Sequence, residues 1–295
     1  MFPQQFITNT ISPAEMERPY SVMLGIRPSA GARSPSLWNS CLGDTSSMIC
    51  LDIPNVDSFK IIFSYLESDP LCLGGLITAP YKEIAYESCN ISSAFASRPC
   101  IANNFYRHNE TLSFKGDNTD ATGFIMSISK FVNLHLFSHV ILLGAGAVSR
   151  VIASALLVEG LSLDTISILT RKTKQKEFPV PTPLYTYRQF LESVSTQSLT
   201  NVLVINCTSV GDYTNPGSSL IKSVPEIMQI IDYLDVQFFF DCIHNPTETY
   251  LSRLFKNRTN GLMMNLYQAA VGFCNVYTGF LLDDVTTLMS SVQRK

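Results

Sequence analysis

The sequence predicts an α/β protein in which short strands and helices alternate along most of the 295 residues. Two observations support this fold class. Apolar runs of strand length recur between segments whose apolar residues repeat with helical spacing. In the second half, the apolar run 139–143 leads through Gly144 and Gly146 directly into a helical segment, which is the order of a strand, a tight turn and a helix.

The first 120 residues contain three predicted strands, at 21–25, 48–52 and 73–78. A helix is expected to begin near Ser36, because Pro35 suits a first helical turn. A second helix over 56–68 follows from the spacing of its apolar residues, Phe59, Ile62, Phe63 and Leu66. Pro80 ends the third strand.

The rest of the chain continues the alternation. A helix at 121–131 is followed by strands at 139–143, 165–169, 201–205 and 238–240, with a helix at 148–158. This β-α-β order is typical of a Rossmann-type domain with parallel strands. Residues 263–282, rich in Ala, Met and aromatic residues, are predicted to form one long helix.

Composition excludes several classes of protein. With 46% hydrophobic and 15% charged residues, the chain is an ordered globular protein. A net charge of −3 gives no electrostatic case for nucleic acid or an anionic membrane. Eight cysteines without a C-x-x-C pair, and four histidines, indicate neither a metal site nor a disulfide framework.

The same features predict the location. Reduced thiols favour a reducing compartment, and the N-terminus has no basic, apolar signal segment. The most apolar stretch, 140–161, contains Arg150 and Glu159 and is interpreted as strand, turn and helix rather than a membrane span. We therefore expect a cytoplasmic protein.

The glycine turn predicts a nucleotide site. Gly144 permits a tight turn, Gly146 lets the backbone approach a pyrophosphate, and the following helix offers free N–H groups. A lone G-x-G is also common in ordinary turns, but its position between an apolar strand and a helix is the context that dinucleotide binding requires.

The end of the next strand predicts which dinucleotide binds. NAD-binding domains usually have an acid here for the ribose 2′-hydroxyl. This chain instead has Thr170 followed by three basic residues, Arg171, Lys172 and Lys174. These bases suit a 2′-phosphate, with Arg171 as the bidentate ligand, so we predict NADP. The alternative interpretation is a solvated basic loop.

Two further residues suggest proton transfer. Lys82 follows a strand and a proline-containing turn, and Asp120 lies in the polar run 116–120 at the start of a helix. A lysine in a cleft can give a proton to a carbonyl oxygen or take one from a hydroxyl. Taken separately, Lys82 is typical of a surface lysine and Asp120 of a helix cap. Spacing alone does not establish that they pair.

Six segments, in order, resemble the motifs of shikimate dehydrogenase in the shikimate/quinate dehydrogenase family. They are GLITAPYK at 75–82, NN at 103–104, GDNTD at 116–120, GAGAVSR at 144–150, NCTS at 206–209 and GLMMNLYQA at 261–269. The pairs Ser34-Pro35 and Trp38-Asn39 resemble the N-terminal serine-proline motif of the family, and 277–279 resembles its C-terminal tail.

The resemblance implies an oxidoreductase of two domains with a cleft between them. Residues 1–120, with a C-terminal helix in 264–295, would form the substrate-binding domain, and 121–263 the Rossmann NADP-binding domain. The reaction would be NADP-dependent, reversible reduction of 3-dehydroshikimate to shikimate in aromatic amino acid biosynthesis. The partner would be a small cyclic hydroxy acid, and the enzyme a monomer or homodimer.

Residue roles also follow from the resemblance. Lys82 would protonate the developing alkoxide, and Asp120 would hydrogen-bond the substrate and orient Lys82. The remaining substrate-binding positions would be Ser34, Thr78, Asn103, His244 and Gln268. The cofactor-binding positions would be Gly144, Ala145, Gly146, Ala147, Val148, Thr170, Arg171, Lys174, Cys242 and Gly261.

The chain departs from the family around the substrate. Two serines of the N-terminal loop normally hold the substrate carboxylate; the first is Ala32 here and only Ser34 remains. Gly31 replaces a histidine, Leu76 replaces an asparagine, and His244 replaces a tyrosine. One lost charge-assisted hydrogen bond corresponds to about 1.5–3 kcal/mol of binding.

These departures leave alternatives open. Arg33 or Arg27 would compensate for the missing serine by pairing with the substrate carboxylate, or would serve only at the surface. His244 would add a pH-dependent contact or be structural. The substrate would then be quinate, an aminoshikimate-like ring or another cyclic acid. A different class, a ligand-sensing relative without turnover, is disfavoured because Lys82 and Asp120 are both retained.

Overall fold

The computed structural model describes residues 3–9, 16–43, 46–107, 113–172, 181–212, 215 and 217–293. The chain divides into two compact units. The first unit comprises Met1–Gly123 and Leu266–Lys295, and the second comprises Phe124–Asn265. These boundaries lie within three residues of the domain limits expected from the resemblance.

The first unit is built on a six-stranded mixed sheet with strand order β2-β1-β3-β5-β6-β4. β1 is parallel to β2 and β3, whereas β5 is antiparallel to β3 and β6. Its strands are β1 (Tyr20–Gly25), β2 (Ser47–Asp52), β3 (Cys72–Ile77), β4 (Asn90–Ile91), β5 (Asn104–Arg107) and β6 (Phe114–Asp117). Its helices before the first boundary are α1 (Ser34–Leu42), α2 (Val56–Ser68), α3 (Lys82–Ser88) and α4 (Ala94–Ser97), and α5 (Thr119–Ile128) carries the chain across that boundary.

The second unit contains a six-stranded sheet with order β12-β11-β10-β7-β8-β9, and every pairing in it is parallel. Its strands are β7 (His139–Leu143), β8 (Ile166–Thr170), β9 (Leu184–Thr186), β10 (Leu199–Asn206), β11 (Leu234–Asp241) and β12 (Arg258–Asn260). Its helices are α6 (Ala147–Val158), α7 (Tyr187–Val194), α8 (Leu220–Ser223) and α9 (Ile227–Asp232). Counted within the unit, the order is 3-2-1-4-5-6, the doubly wound dinucleotide-binding arrangement.

Two helices complete the chain: α10 (Leu262–Val276), which crosses the second boundary, and α11 (Leu282–Gln293). The prediction of one helix over 263–282 was therefore wrong. α10 ends at Val276, Gly279 after it has a φ of +101°, which no α-helix accommodates, and α11 begins three residues later. Among the described residues, no helix is long and apolar enough to cross a membrane.

The predicted α/β class is confirmed, and each predicted strand overlaps an observed one. The strands that the sequence did not indicate are the short ones, β4, β5, β6, β9 and β12. Strands of two to four residues contain too few alternating positions for a periodic signal. In the first unit, an aromatic cluster of Phe59, Phe63, Phe105 and Phe114 packs between α2 and the sheet.

Candidate active site

Lys82 and Asp120 form an ion pair in the first unit. Lys82 Nζ donates to Asp120 Oδ2 at 2.5 Å, although the two residues are 38 positions apart. Both side chains are mostly shielded from solvent, with 21% and 17% of their surface exposed. The pair therefore keeps an ammonium proton and a carboxylate together where a bound molecule can reach them.

The turn before Lys82 is held rigidly. Tyr81 is buried, stacks on Phe59 with a centroid distance of 5.0 Å, and donates its hydroxyl to Ile53 O at 2.7 Å. Lys82 is the first residue of α3, and its carbonyl accepts from Ala102 N at 3.0 Å. The backbone of Lys82 is thus fixed on both sides, so its side chain has a defined starting point.

Asp120 is not the cap of its helix. Asn118 has that role: its Oδ1 accepts from Ala121 N at 3.3 Å, and its Nδ2 donates to Ile101 O at 3.0 Å. Because Asn118 satisfies the helix N-terminus, the carboxylate of Asp120 is available for Lys82. The interpretation of Asp120 as a simple cap is therefore wrong.

Asn103 lies beside this pair. Its Oδ1 accepts from Thr119 N at 2.7 Å, directly before Asp120, and its own carbonyl accepts from Ile77 N at 2.7 Å. Since its oxygen holds the backbone, the amide NH2 group is oriented away as a donor. Asn103 is buried, and its side-chain oxygen fixes the backbone at the start of α5.

Thr78 follows β3 and packs on the end of β1. A Cβ at Gly25 would lie 2.3 Å from Thr78 Cγ2, so only glycine permits this approach. Because β1 and β3 are parallel, their carboxyl ends meet at one edge of the sheet. The loop after Gly25, the hydroxyl of Thr78 and the start of α3 at Lys82 are consequently neighbours.

The loop between β1 and α1 is tied to the end of β2. The hydroxyl of Ser29 donates to Asp52 Oδ2, and Ser29 N donates to Asp52 Oδ1 at 3.0 Å. The loop ends at Ser34, which is buried and is the first residue of α1, two residues earlier than predicted. Gln268 Nε2 donates to Ser34 Oγ at 3.4 Å. Ser34 and Gln268 are thus brought together from the two ends of the chain.

The second unit has a cavity of 520 Å³ where its sheet reverses strand order. The reversal falls between β7 and β10, and ligands of open α/β sheets bind outside the carboxyl ends of the strands at such a point. Of the predicted cofactor residues, it is lined by Gly144, Ala145, Gly146, Ala147, Val148, Thr170, Arg171 and Cys242.

The glycine turn after β7 allows close packing at this point. Gly144 has a φ of +98°, and an added Cβ would lie 2.9 Å from Thr208 Cγ2. Gly146 is the N-cap of α6, has no side chain to occupy the helix terminus, and faces open space. The cap residue therefore provides no side-chain acceptor for the first N–H groups of α6. These groups point into the cavity, as an anion site requires.

A buried hydrogen-bond network supports the cavity walls. Asp241 Oδ1 accepts from Asn206 Nδ2 at 2.9 Å and from Ile243 N at 3.1 Å, and Oδ2 accepts from Thr249 Oγ1 at 2.7 Å. Asn206 Oδ1 accepts in turn from Thr208 Oγ1 at 2.8 Å. Burial raises the pKa of Asp241, while these three donors oppose that rise. The network joins the loops after β10 and β11.

Three predicted site residues remain to be placed. His244 lines the 520 Å³ cavity of the second unit. Gly261 contacts the loop after β11: its N–H donates to Ile243 O at 3.1 Å, and a Cβ would lie 2.2 Å from Cys242 O. Lys174 lies outside the described residues.

Sequence reasoning did not assign several residues that line the cavity. Tyr187 is far from any motif and is brought there by the fold, whereas Asp212 lies three residues after the motif at 206–209. The sequence did contain a signal for three other residues, Cys207, Thr208 and Ser209. They come directly after β10, the strand that lies beside β7 and its glycine turn where the strand order reverses. The remaining lining residues are Val210, Leu220, Ile243 and Asn245.

No family model matches the chain. Similar proteins are nevertheless found. The chain is 28% identical over 212 residues to a shikimate dehydrogenase (NADP(+)) of Dictyoglomus turgidum, covering 67% of this chain and 69% of that protein. It is 26% identical over 268 residues to the enzyme of that name from Prochlorococcus marinus, covering 82% and 86%.

Solved structures show the same fold. A chorismate mutase/shikimate 5-dehydrogenase fusion protein from Clostridium acetobutylicum superposes with a TM-score of 0.75 at 20% identity, covering 95% of this chain and all of that one. Shikimate dehydrogenase from Aquifex aeolicus superposes with a TM-score of 0.74 at 21% identity, covering 97% and 100%. These solved structures show that the chain has the fold of these enzymes, and the relatives show that its sequence is similar to that of shikimate dehydrogenases.

Proposed function

We propose that the protein is an NADP-dependent oxidoreductase that reversibly reduces 3-dehydroshikimate to shikimate. The observation that carries the proposal is the 2.5 Å pair of Lys82 and Asp120, a proton donor held by a carboxylate beside polar groups suited to a hydroxylated ring. The proposal is supported by relatives of the same name in Dictyoglomus and Prochlorococcus. A cytoplasmic location and a monomeric or homodimeric state stay predictions.

The second unit fits the cofactor. Its cavity meets an N-terminus of α6 that lacks a capping side chain, which suits a pyrophosphate. Thr170 and Arg171 at the end of β8 would hold the adenosine ribose and its 2′-phosphate. A structure related at 21% identity, from Thermus thermophilus, is a complex with NADP(H) and shikimate. When bound, NADPH supplies the hydride for the carbonyl carbon.

The first unit would bind the ring and manage the proton. Thr78, Asn103 and Gln268 would donate to or accept from ring hydroxyls, and Ser34 would bind the carboxylate. As the carbonyl carbon gains a hydride, its oxygen becomes an alkoxide, and Lys82 Nζ supplies the proton that completes the alcohol. Asp120 holds the ammonium group in place, and in the reverse direction Lys82 takes the proton back. Much of the rate would come from positioning.

The direct test is oxidation of NADPH by the purified protein in the presence of 3-dehydroshikimate. We expect the absorbance of NADPH to fall with saturation in both substrates, and shikimate to form in equal amount. Binding of the ring acid without turnover of this or related ketones would instead favour the ligand-sensing alternative. Exchange of the ring acid for quinate or an amino analogue tests the specialised-substrate alternative in the same assay.

Replacing Arg171 by alanine should weaken the preference for NADPH over NADH. Loss of a guanidinium that contacts a phosphate corresponds to about 10-fold or more in binding. The KM for NADPH should rise while that for NADH changes little, because NADH has a hydroxyl where NADPH has the phosphate. The measurement is kcat/KM with each cofactor. A wild-type protein that prefers NADH would contradict the interpretation of the basic strand end.

Replacing Ala32 by serine should improve use of shikimate if the carboxylate lies in the loop before α1. Ser34 is the sole serine of the expected pair, and a second hydroxyl would add a charge-assisted hydrogen bond, worth roughly 10-fold in KM. The Ala32→Val variant controls for side-chain size. If Ala32→Ser instead lowers activity on shikimate, Arg33 or a different substrate acid would explain the departure better.

A further inference from the structure

A second, smaller cavity adjoins the cofactor cavity of the second unit. Its volume is 230 Å³, and it shares Thr170, Arg171 and Tyr187 with the walls of the larger one. Its other walls are Thr186, Arg188, Ser223, Val224, Pro225 and Glu226. The two cavities therefore meet at Arg171, the residue expected to contact the 2′-phosphate.

The strand register explains why a second arginine lies here. β8 and β9 are parallel, and Thr170 is the Cα partner of Thr186 at their carboxyl ends. The chain continues to Arg171 on one side, and to Tyr187 and Arg188 on the other. The residues after Thr186 begin α7. Thr186 caps this helix, because its hydroxyl accepts from Gln189 N at 3.1 Å. The register thus brings two guanidinium groups to one sheet edge from separate strands.

The charges around the cavity favour a dianion. Arg171 and Arg188 carry two positive charges, and Glu226 carries one negative charge. Burial raises the pKa of Tyr187, so its hydroxyl is neutral, and Arg171 is close enough to oppose that rise. The walls consequently present two guanidinium forks, which match phosphate geometry. An uncharged hydroxyl in the same position would gain much less from them.

We propose that Arg188 is a second specificity-determining residue for the 2′-phosphate of the cofactor, acting together with Arg171. This inference rests on the proposed function, because it concerns the same dinucleotide. Glu226 opposes it: its carboxylate lines the same cavity and repels a phosphate. Arg188 and Glu226 therefore set the cofactor preference in opposite directions, and neither position belongs to the motifs that carry the family resemblance.

The test uses two probes that need no turnover: adenosine 2′,5′-bisphosphate and adenosine 5′-monophosphate. Their binding is measured by calorimetry on the full-length protein at low ionic strength, since Arg188 is exposed and salt screens its charge. Arg188→Ala should weaken the bisphosphate about tenfold, or ~1.4 kcal/mol, and leave the monophosphate unchanged. Glu226→Gln should strengthen the bisphosphate, and Arg188→Lys should retain part of the affinity.

Arg98→Ala is the matched control, because Arg98 is an exposed arginine of the first unit and its loss changes the net charge equally. It should leave both affinities unchanged. The inference is overturned if wild type prefers the bisphosphate and Arg188→Ala retains that preference, or if Arg98→Ala reduces it as much. If the wild-type protein binds both probes equally, it has no site for a 2′-phosphate. That result overturns this inference and also NADP as the cofactor of the proposed function.

Discussion

Replacing Lys82 by alanine is expected to lower kcat for 3-dehydroshikimate reduction by about 10²- to 10⁴-fold, the usual contribution of a positioned general acid. Lys82 Nζ is the proton donor that Asp120 holds at 2.5 Å, and alanine provides no replacement. The affinity for NADPH should stay unchanged, because the glycine turn and Arg171 belong to the second unit. The measurement is steady-state NADPH oxidation, with cofactor binding followed separately by fluorescence.

Lys60→Ala is a suitable control for this experiment. Lys60 is an exposed lysine on α2 of the same unit, so its removal changes the net charge without touching the site. Asp120→Asn should also lower kcat, since the amide does not hold an ammonium group as a carboxylate does. If Lys82→Ala turned over the ketone at the wild-type rate, the proton-donor role would be refuted, whatever the cofactor.

The stability of the first unit should depend strongly on Trp38. This residue, the single tryptophan of the chain, is fully buried in α1 and donates Nε1 to Ala269 O at 2.9 Å. Its ring makes edge contacts with Phe273 and Tyr277 at centroid distances of 5.6 and 6.1 Å. We expect Trp38→Ala to lower the free energy of unfolding by about 3–5 kcal/mol.

The measurement is urea unfolding followed by circular dichroism, because the variant has no tryptophan fluorescence. Trp38→Phe should cost less, since it keeps an aromatic ring and loses the hydrogen bond. Trp38 also joins α1 to α10, which carry Ser34 and Gln268, so the KM for the ring acid should rise in both variants. A loss below about 1 kcal/mol for Trp38→Ala would show that the two helices are held together by other contacts.

The glycine turn and the paired residues differ in how far local sequence could predict them. Gly144 and Gly146 are interpretable because the turn, the preceding strand and the following helix are consecutive, and the observed β7 and α6 match them closely. The contact of Lys82 with Asp120 was only a hypothesis from resemblance. It depends on β3, β5 and the start of α5 lying in register, which no local pattern encodes.

The sequence by itself determined the alternation of strands and helices, the glycine turn and the order of the family motifs, because these depend on local backbone preferences and on burial repeated along the chain. Only the tertiary structure decided that Asn118 rather than Asp120 caps α5, that Asp241 joins two loops of the cofactor cavity, and that Arg188 lies beside Arg171. The Asp241 and Arg188 features join residues that lie far apart in the chain, and that geometry exists only after the strands have packed.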